Sequence, residues 1–278
     1  MDRARAEVVI AVSSFLGSSL ATALFFVCTP QPFCLLLSPC LAFLSVVIQE
    51  RLMRRRVSEI SIRSSLLGNL FAFGVWTVFV FRSVRPFGIY MALLAHFHWS
   101  EYLFISMFSP RSLSVRSFML DHSPAYVFAT IASWIEYTVW QFIFPGMRDC
   151  IWISIVGLLM CVVGESLRKV AIATAGENFD HIVEDSKRRE HVLITHGVYK
   201  ICRHPSYLGW WMFAVGTQIV LQNPVCVFGF FYGAYRFFAD RVPYEERILI
   251  QFFGDQYIRY RQHVPLLLPF IKDPKDVD

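Results

Sequence analysis

The run from Val8 to Thr29, VVIAVSSFLGSSLATALFFVCT, carries no charged residue. It is long enough to cross the hydrocarbon core of a bilayer, which takes roughly 20 apolar residues in a helix. Seven more apolar runs follow: Phe33 to Gln49, Ser64 to Phe81, Pro86 to Phe108, Pro124 to Phe144, Cys150 to Leu167, Tyr207 to Leu221 and Pro224 to Phe238. His96, His98, Glu101, Glu136, Glu165 and Arg236 interrupt them. The chain of 278 residues is 55% hydrophobic and 17% charged, with a mean hydropathy of +0.48, which lies outside the range of soluble globular proteins. The expected fold is all-α: a polytopic integral membrane protein of about eight transmembrane helices. Its last two runs are too short to span upright and meet at Asn223-Pro224, so they predict a short helical hairpin over 207–238.

Basic residues set the expected orientation. Arg51, Arg54, Arg55, Arg56 and Arg63 follow the second run, Arg111 and Arg116 the fourth, and Arg168, Lys169, Lys187, Arg188 and Arg189 the sixth. The odd connections carry only Arg82 and Arg85, or Arg148, so both termini are expected in the cytosol. The net charge of +5 follows from this topology and requires no nucleic-acid partner. Arg3 and Arg5 ahead of the long first run read as a signal anchor rather than a cleaved leader. The seven cysteines lack metal-ligand spacing and read as small packing residues, and no metal is expected. Glu101, Glu136 and Glu165 admit two readings: interfacial placement or pairing between helices, or a conduction path.

From Gly176 to His204 the chain turns polar and holds His181, His191, His196 and His204, half of its eight histidines. Within it lie Thr195-His196-Gly197-Val198-Tyr199 and Arg203-His204-Pro205-Ser206-Tyr207-Leu208-Gly209. Pro205 suits a first helical turn, so a helix is expected to begin near Ser206 with free N–H groups facing the polar region. A third segment, Asp240-Arg241-Val242-Pro243-Tyr244-Glu245-Glu246-Arg247, leads into an expected cytosolic C-terminal helix to about Arg261. Its apolar stripe through Leu249 and Phe252 puts Glu245 on the buried face and Glu246 roughly 100° away. A carboxylate on an apolar face must have a partner or a ligand.

These motifs in this order, closed by Tyr-x-x-Tyr-x-x-x-Val-Pro and Leu268-Pro269-Phe270-Ile271, resemble the isoprenylcysteine carboxyl methyltransferases. The resemblance implies methyl esterification, from S-adenosylmethionine, of the C-terminal prenylcysteine of processed CaaX proteins such as small GTPases. It also implies a place in the endoplasmic reticulum membrane. It carries cofactor contacts onto Glu184, His191, Val192, Leu193, Ile194, Tyr199, His204, Pro205, Ser206, Tyr207 and Glu245, and the substrate contact onto Arg241. Arg241 and Glu245 are then the expected catalytic pair. On this reading residues 1–171 are membrane scaffold and 172–278 carry the chemistry. A lipid substrate would enter sideways beside the hairpin, along Gly209, Gly216, Gly229 and Gly233. The sequence departs from the family at Glu184, where Gln is expected, at Pro243, and at Leu266-Leu267 after the Val-Pro step. The soluble methyltransferase fold is excluded, since no Gly-x-Gly occurs anywhere. Related motifs keep a phospholipid N-methyltransferase and a sterol reductase as alternatives, and a membrane scaffold or channel as a non-enzymatic one.

Overall fold

The computed structural model describes residues 2–28, 51, 55–120, 123–146, 148 and 150–271, and every regular element among them is helical. The helices are α1 (Asp2–Cys28), α2 (Arg55–Val80), α3 (Arg85–Phe108), α4 (Pro124–Ile143), α5 (Ile151–Ala175), α6 (Pro205–Leu221), α7 (Pro224–Phe253) and α8 (Asp255–His263). Seven of the eight apolar runs fall on α1 to α7, and the second, Phe33 to Gln49, lies outside the described residues. Prolines open α3, α4, α6 and α7, where a missing N–H costs nothing. At α4 the Ser123 side chain also accepts from the Tyr126 N–H at 3.2 Å.

Three described helical stretches are long and apolar enough to cross a membrane: Ala4–Cys28, Glu59–Val80 and Ile151–Asn178. Large apolar side chains point outward along several helices, with Phe79 79%, Phe142 81% and Trp152 71% exposed. An apolar surface on this scale suits hydrocarbon rather than water. Between helices the packing relies on small and hydroxylated residues, as expected where lipid removes the hydrophobic drive for helix association. Ser14 meets Ser61 at 2.8 Å, and Thr22 donates to Asn69 at 2.7 Å across α1 and α2. The backbones of α5 and α6 touch at glycines: a Cβ on Gly209 would stand 2.4 Å from the Gly164 carbonyl oxygen.

Two expectations about the hairpin change. Its first arm, α6, has 17 residues, about 26 Å at 1.5 Å per residue, but the second is the opening half of a 30-residue helix. That helix runs straight through Pro243, whose ring leaves the Ala239 carbonyl without its usual i+4 donor. The chain breaks instead at Gly254, at φ +53°, so the expected helix to Arg261 is divided between α7 and α8. Gly209 and Gly216 face the α5 backbone rather than a lateral gap, whereas Gly229 and Gly233 have open space where a Cβ would go.

All three membrane glutamates pair between elements. Glu101 meets Arg168 and Lys169 of α5, and Glu165 takes hydrogen bonds from Ser100 (2.7 Å) and lies 3.0 Å from His96 of α3. Glu136 accepts from the Val225 and Cys226 N–H groups at 2.8 and 2.6 Å, capping the start of α7.

Candidate active site

Residues 179–196 form neither helix nor strand, and this segment folds over the N-terminus of α6 and the C-terminal half of α7. A cavity of about 170 Å³ lies between them. Every residue to which the resemblance assigns a contact lines it: Glu184, His191, Val192, Leu193, Ile194, Tyr199, His204, Pro205, Ser206, Tyr207, Arg241 and Glu245.

Tyr207 is the hub. Arg241 Nε donates to its hydroxyl at 2.8 Å, and the hydroxyl donates in turn to Glu245. Arg241 and Glu245 stand four residues apart on α7 and reach the same phenol, so the helical register between them survives Pro243. The ring of Tyr207 stacks between His204, at 5.3 Å and 3°, and Phe238, at 4.8 Å. Arg241 also lies 5.4 Å from the Tyr207 centroid, and its Nη2 donates to the His181 carbonyl at 2.6 Å.

On the opposite side Glu184 lies 3.0 Å from Arg188 Nε and 2.9 Å from His191 Nε2. Burial lowers the pKa of His191, and the Arg188 charge adds to the effect, which favours a neutral ring. Its Nδ1 is buried with no hydrogen-bond partner among the described residues. Tyr199 is held between Ala171, whose carbonyl its hydroxyl reaches at 3.4 Å, and Tyr260, which donates to the Tyr199 carbonyl at 2.6 Å. Burial, followed by the Glu245 charge, raises the Tyr199 phenol above its ordinary value and keeps it protonated. Burial likewise pushes the Cys202 thiol up to about 11.

The structure overturns the placement of Glu246. It is 1% exposed and accepts from Arg203 Nε at 2.8 Å and, through the same oxygen, lies 3.2 Å from His204 Nε2. Burial raises the Glu246 pKa, but the His204 hydrogen bond and the Arg203 charge outweigh it, so the carboxyl stays below its usual value. Glu245 does share a face with Leu249 and Phe252, but that face is the cavity wall. The neighbouring face, with Val242 fully buried, is covered as well. Arg203 fills the space beyond it and ties the C-terminal segment down through the Val264 carbonyl at 2.8 Å. The expected free N–H groups of α6 are also reduced: Tyr207 and Leu208 both donate to the His204 carbonyl at 3.1 Å, and Pro205 has no N–H. Sequence reasoning missed the Arg203–Glu246 pair, although Arg203 stood inside the quoted motif beside His204.

Comparison with known proteins gives a consistent result. Residues 156–251 match the isoprenylcysteine carboxyl methyltransferase (ICMT) family. The chain is 45% identical over 224 residues to a protein-S-isoprenylcysteine O-methyltransferase of Xenopus laevis, covering 81% of this chain and 78% of that one. It is 46% identical over 217 residues to the protein of the same name from Homo sapiens, covering 78% and 76%. A solved structure of a eukaryotic intramembrane Ras methyltransferase of the same family superposes with a TM-score of 0.92 at 38% identity, covering 95% of this chain and 98% of that one. With this identity over most of its length and the same helical architecture, the chain belongs to the isoprenylcysteine carboxyl methyltransferase family.

Proposed function

We propose that the cavity brings S-adenosylmethionine together with the α-carboxylate of a prenylcysteine, and that Arg241 holds that carboxylate. The chain is a membrane methyltransferase that methylates prenylcysteine, as its family does. The observation that carries the proposal is the convergence of Arg241 and Glu245 on the Tyr207 hydroxyl, in a cavity that Glu184, His191, Tyr199 and His204 also line. The cavity walls suit the cofactor. Glu184 and Glu245 offer carboxylates for an ammonium group or ribose hydroxyls, His191 Nδ1 is a buried ring nitrogen awaiting a partner, and Leu249 and Phe252 offer apolar surface. When bound, S-adenosylmethionine supplies a methyl group on a sulfonium.

The substrate carboxylate has a reference pKa of roughly 3.5 and is ionised at neutral pH, so no residue has to act as general base. What the chain supplies is position and cover. Arg241 orients the carboxylate by charge-assisted hydrogen bonds. It must not hold the anion so firmly that the ground state gains more than the transition state. The ring of Tyr199, which lines the cavity, favours a cation near its face. The 179–196 segment covers one side of the cavity, and the less water reaches the reacting groups, the stronger every electrostatic contact there.

Residues 172–278 carry this chemistry on the scaffold of the earlier helices. The substrates are prenylated CaaX proteins, and similarity to a Ras methyltransferase supports small GTPases among them. The basic residues after the even-numbered runs support a cavity and termini on the cytosolic side, and the family resemblance supports the endoplasmic reticulum membrane. Radiolabel transfer from S-adenosylmethionine to N-acetyl-farnesylcysteine in detergent tests the assignment. Arg241→Ala should reduce it about a hundredfold, on the scale of roughly 3 kcal/mol for a positioned charged contact. Near-normal turnover in a folded Arg241→Ala protein would sink it.

A further inference from the structure

Beside the cavity a buried carboxylate from outside the motif region is tied to residues that lead into the site. Glu101 of α3 is 0% exposed, and a carboxylate so placed is tolerated only when paired and hydrogen-bonded on all sides. Arg168 grips it with Nε at 2.7 Å and Nη2 at 2.8 Å, Lys169 pairs with Oε1, and His181 Nε2 lies 3.0 Å from Oε2. An ionised carboxylate only accepts, so His181 Nε2 carries the proton of that bond.

Two of these partners lead on into the site. Arg168 Nη1 donates to the Ser206 hydroxyl at 2.8 Å, in the first turn of α6. His181 presents its main-chain carbonyl to Arg241 Nη2 at 2.6 Å. His181 belongs to the segment without helix or strand. Its neighbours are fixed by Ser109, which donates to the Phe179 carbonyl at 2.7 Å, and by Asp180, which accepts from the Ile182 N–H at 3.0 Å. The bond from its imidazole to Glu101 ties this same stretch to the membrane helices, directly at the residue that Arg241 uses.

We propose that His181, pinned by Glu101, is a positioning residue for methyl transfer: through its main-chain carbonyl it aims the Arg241 guanidinium at the substrate carboxylate. The inference rests on the assignment of Arg241 as the carboxylate holder. With Nε on Tyr207 and Nη2 on His181, the guanidinium is fixed at two donors and turns its remaining N–H groups to the cavity. Without the pin the carbonyl is free to drift, and a long side chain recovers rotamers that substrate binding must then remove. The cofactor-side pair, Glu184 and His191, does not pass through this linkage. The buried charge of Glu101 also remains compensated by Arg168 and Lys169 when His181 is changed, so the fold survives the test.

The experiment measures KM for N-acetyl-farnesylcysteine and for S-adenosylmethionine, together with the thermal midpoint, in full-length protein in detergent. His181→Ala should raise the KM for the prenylated substrate about tenfold, the scale of weakening a hydrogen bond to a charged group. The KM for S-adenosylmethionine should stay within about twofold and the midpoint should hold, since the cofactor-side contacts and the Glu101 ion pairs are untouched. His181→Gln, whose amide N–H reaches about where Nε2 does, should restore most of the loss. In an Arg241→Ala background His181→Ala should add nothing, because the linkage would have no residue left to aim. Equal changes in both KM values, or activity that falls only in proportion to the midpoint, would show a merely structural role and overturn the proposal. If Arg241→Ala is damaging and His181→Ala is not, this inference fails alone; if Arg241→Ala leaves the substrate KM unchanged, the assignment beneath it fails.

Discussion

Removing the charge of Glu246 should unfold this protein more readily than removing that of Glu245, one residue away. Glu246 is 1% exposed, and its partner Arg203 has a side chain with 0% exposure. The guanidinium holds the Glu246 carboxylate at 2.8 Å, the Val264 carbonyl at 2.8 Å and the Arg261 carbonyl at 3.3 Å, joining α7 to the end of α8 and the segment after it. Glu246→Gln keeps the shape but removes the negative charge that Arg203 Nε and His204 Nε2 face, and breaking a buried pair in this way costs about 3–5 kcal/mol. At about 2–4 °C per kcal/mol for chains of this size, the midpoint should drop by roughly 10 °C. Glu245→Gln touches a half-buried group on the cavity wall and should move it by no more than about 2 °C. Thermal unfolding in detergent, followed by intrinsic fluorescence, reads both. Calorimetric titration with S-adenosylmethionine should show the complementary pattern, with weaker binding in Glu245→Gln. A Glu246→Gln protein that melts like the wild type, beside a Glu245→Gln protein that does not, would mean that the two faces of α7 have been exchanged.

The four hairpin glycines should divide in pairs. Gly209→Leu puts a side chain where the Gly164 carbonyl oxygen stands 2.4 Å from the first added carbon, so it should abolish stable expression, while Gly229→Leu should leave the midpoint within about 2 °C. If lipid substrate slides in along this hairpin, Gly229→Leu should raise its KM more than that of S-adenosylmethionine, and equal effects on both would argue against that route. Stability should also fall in acid. The folded pKa of His191 lies below its unfolded value of about 6.5, so between the two the unfolded chain binds the extra proton and stability is lost as pH falls through that window. The lowered carboxyl of Glu246 contributes stability above its unfolded value of about 4.3, which disappears as pH falls through the still lower folded value. The midpoint should therefore decline from pH 7.5 to 5.5 and less steeply in His191→Asn; a flat wild-type profile would contradict this.

Much of this fold is legible because a bilayer demands long uncharged runs, and seven of them lie on helices where hydropathy puts them. The cavity residues are legible as motifs, since Arg203 to Gly209 and Arg241 to Glu245 are each local. What escapes is whatever depends on distant partners. Nothing near Glu101 in the chain announces Arg168, Lys169 or His181, which lie 67, 68 and 80 positions away. Counting one apolar stripe along α7 turns Glu246 roughly 100° from the buried face, because a lone amphipathic helix has only one. Here the cavity takes one face, and Arg203 with the Val264 to Leu268 segment takes another. The effect of Pro243 on the register of Arg241 and Glu245 is not legible for a similar reason, since tertiary contacts hold a helix together across a single lost hydrogen bond.

An arginine and a glutamate four residues apart on a helix tend to close on each other, and a closed pair would neutralise both and bind nothing. In this site the Tyr207 hydroxyl stands between them, accepting from Arg241 and donating to Glu245, while the His181 carbonyl draws the guanidinium to the other side. One phenol thus keeps a cation and an anion near each other and still available, as a reaction between an anion and a cation requires. On the proposed assignment Arg241 holds a carboxylate and Glu245 faces a cationic cofactor, and methyl transfer abolishes both charges at once. An ester gives Arg241 no counter-charge, so the contact that holds the substrate weakens in the product, whereas the demethylated cofactor keeps the ammonium and ribose hydroxyls that Glu184 and Glu245 suit. Tyr207 and the His181 carbonyl hold Arg241 throughout, so release of the ester follows from the loss of the substrate's own charge.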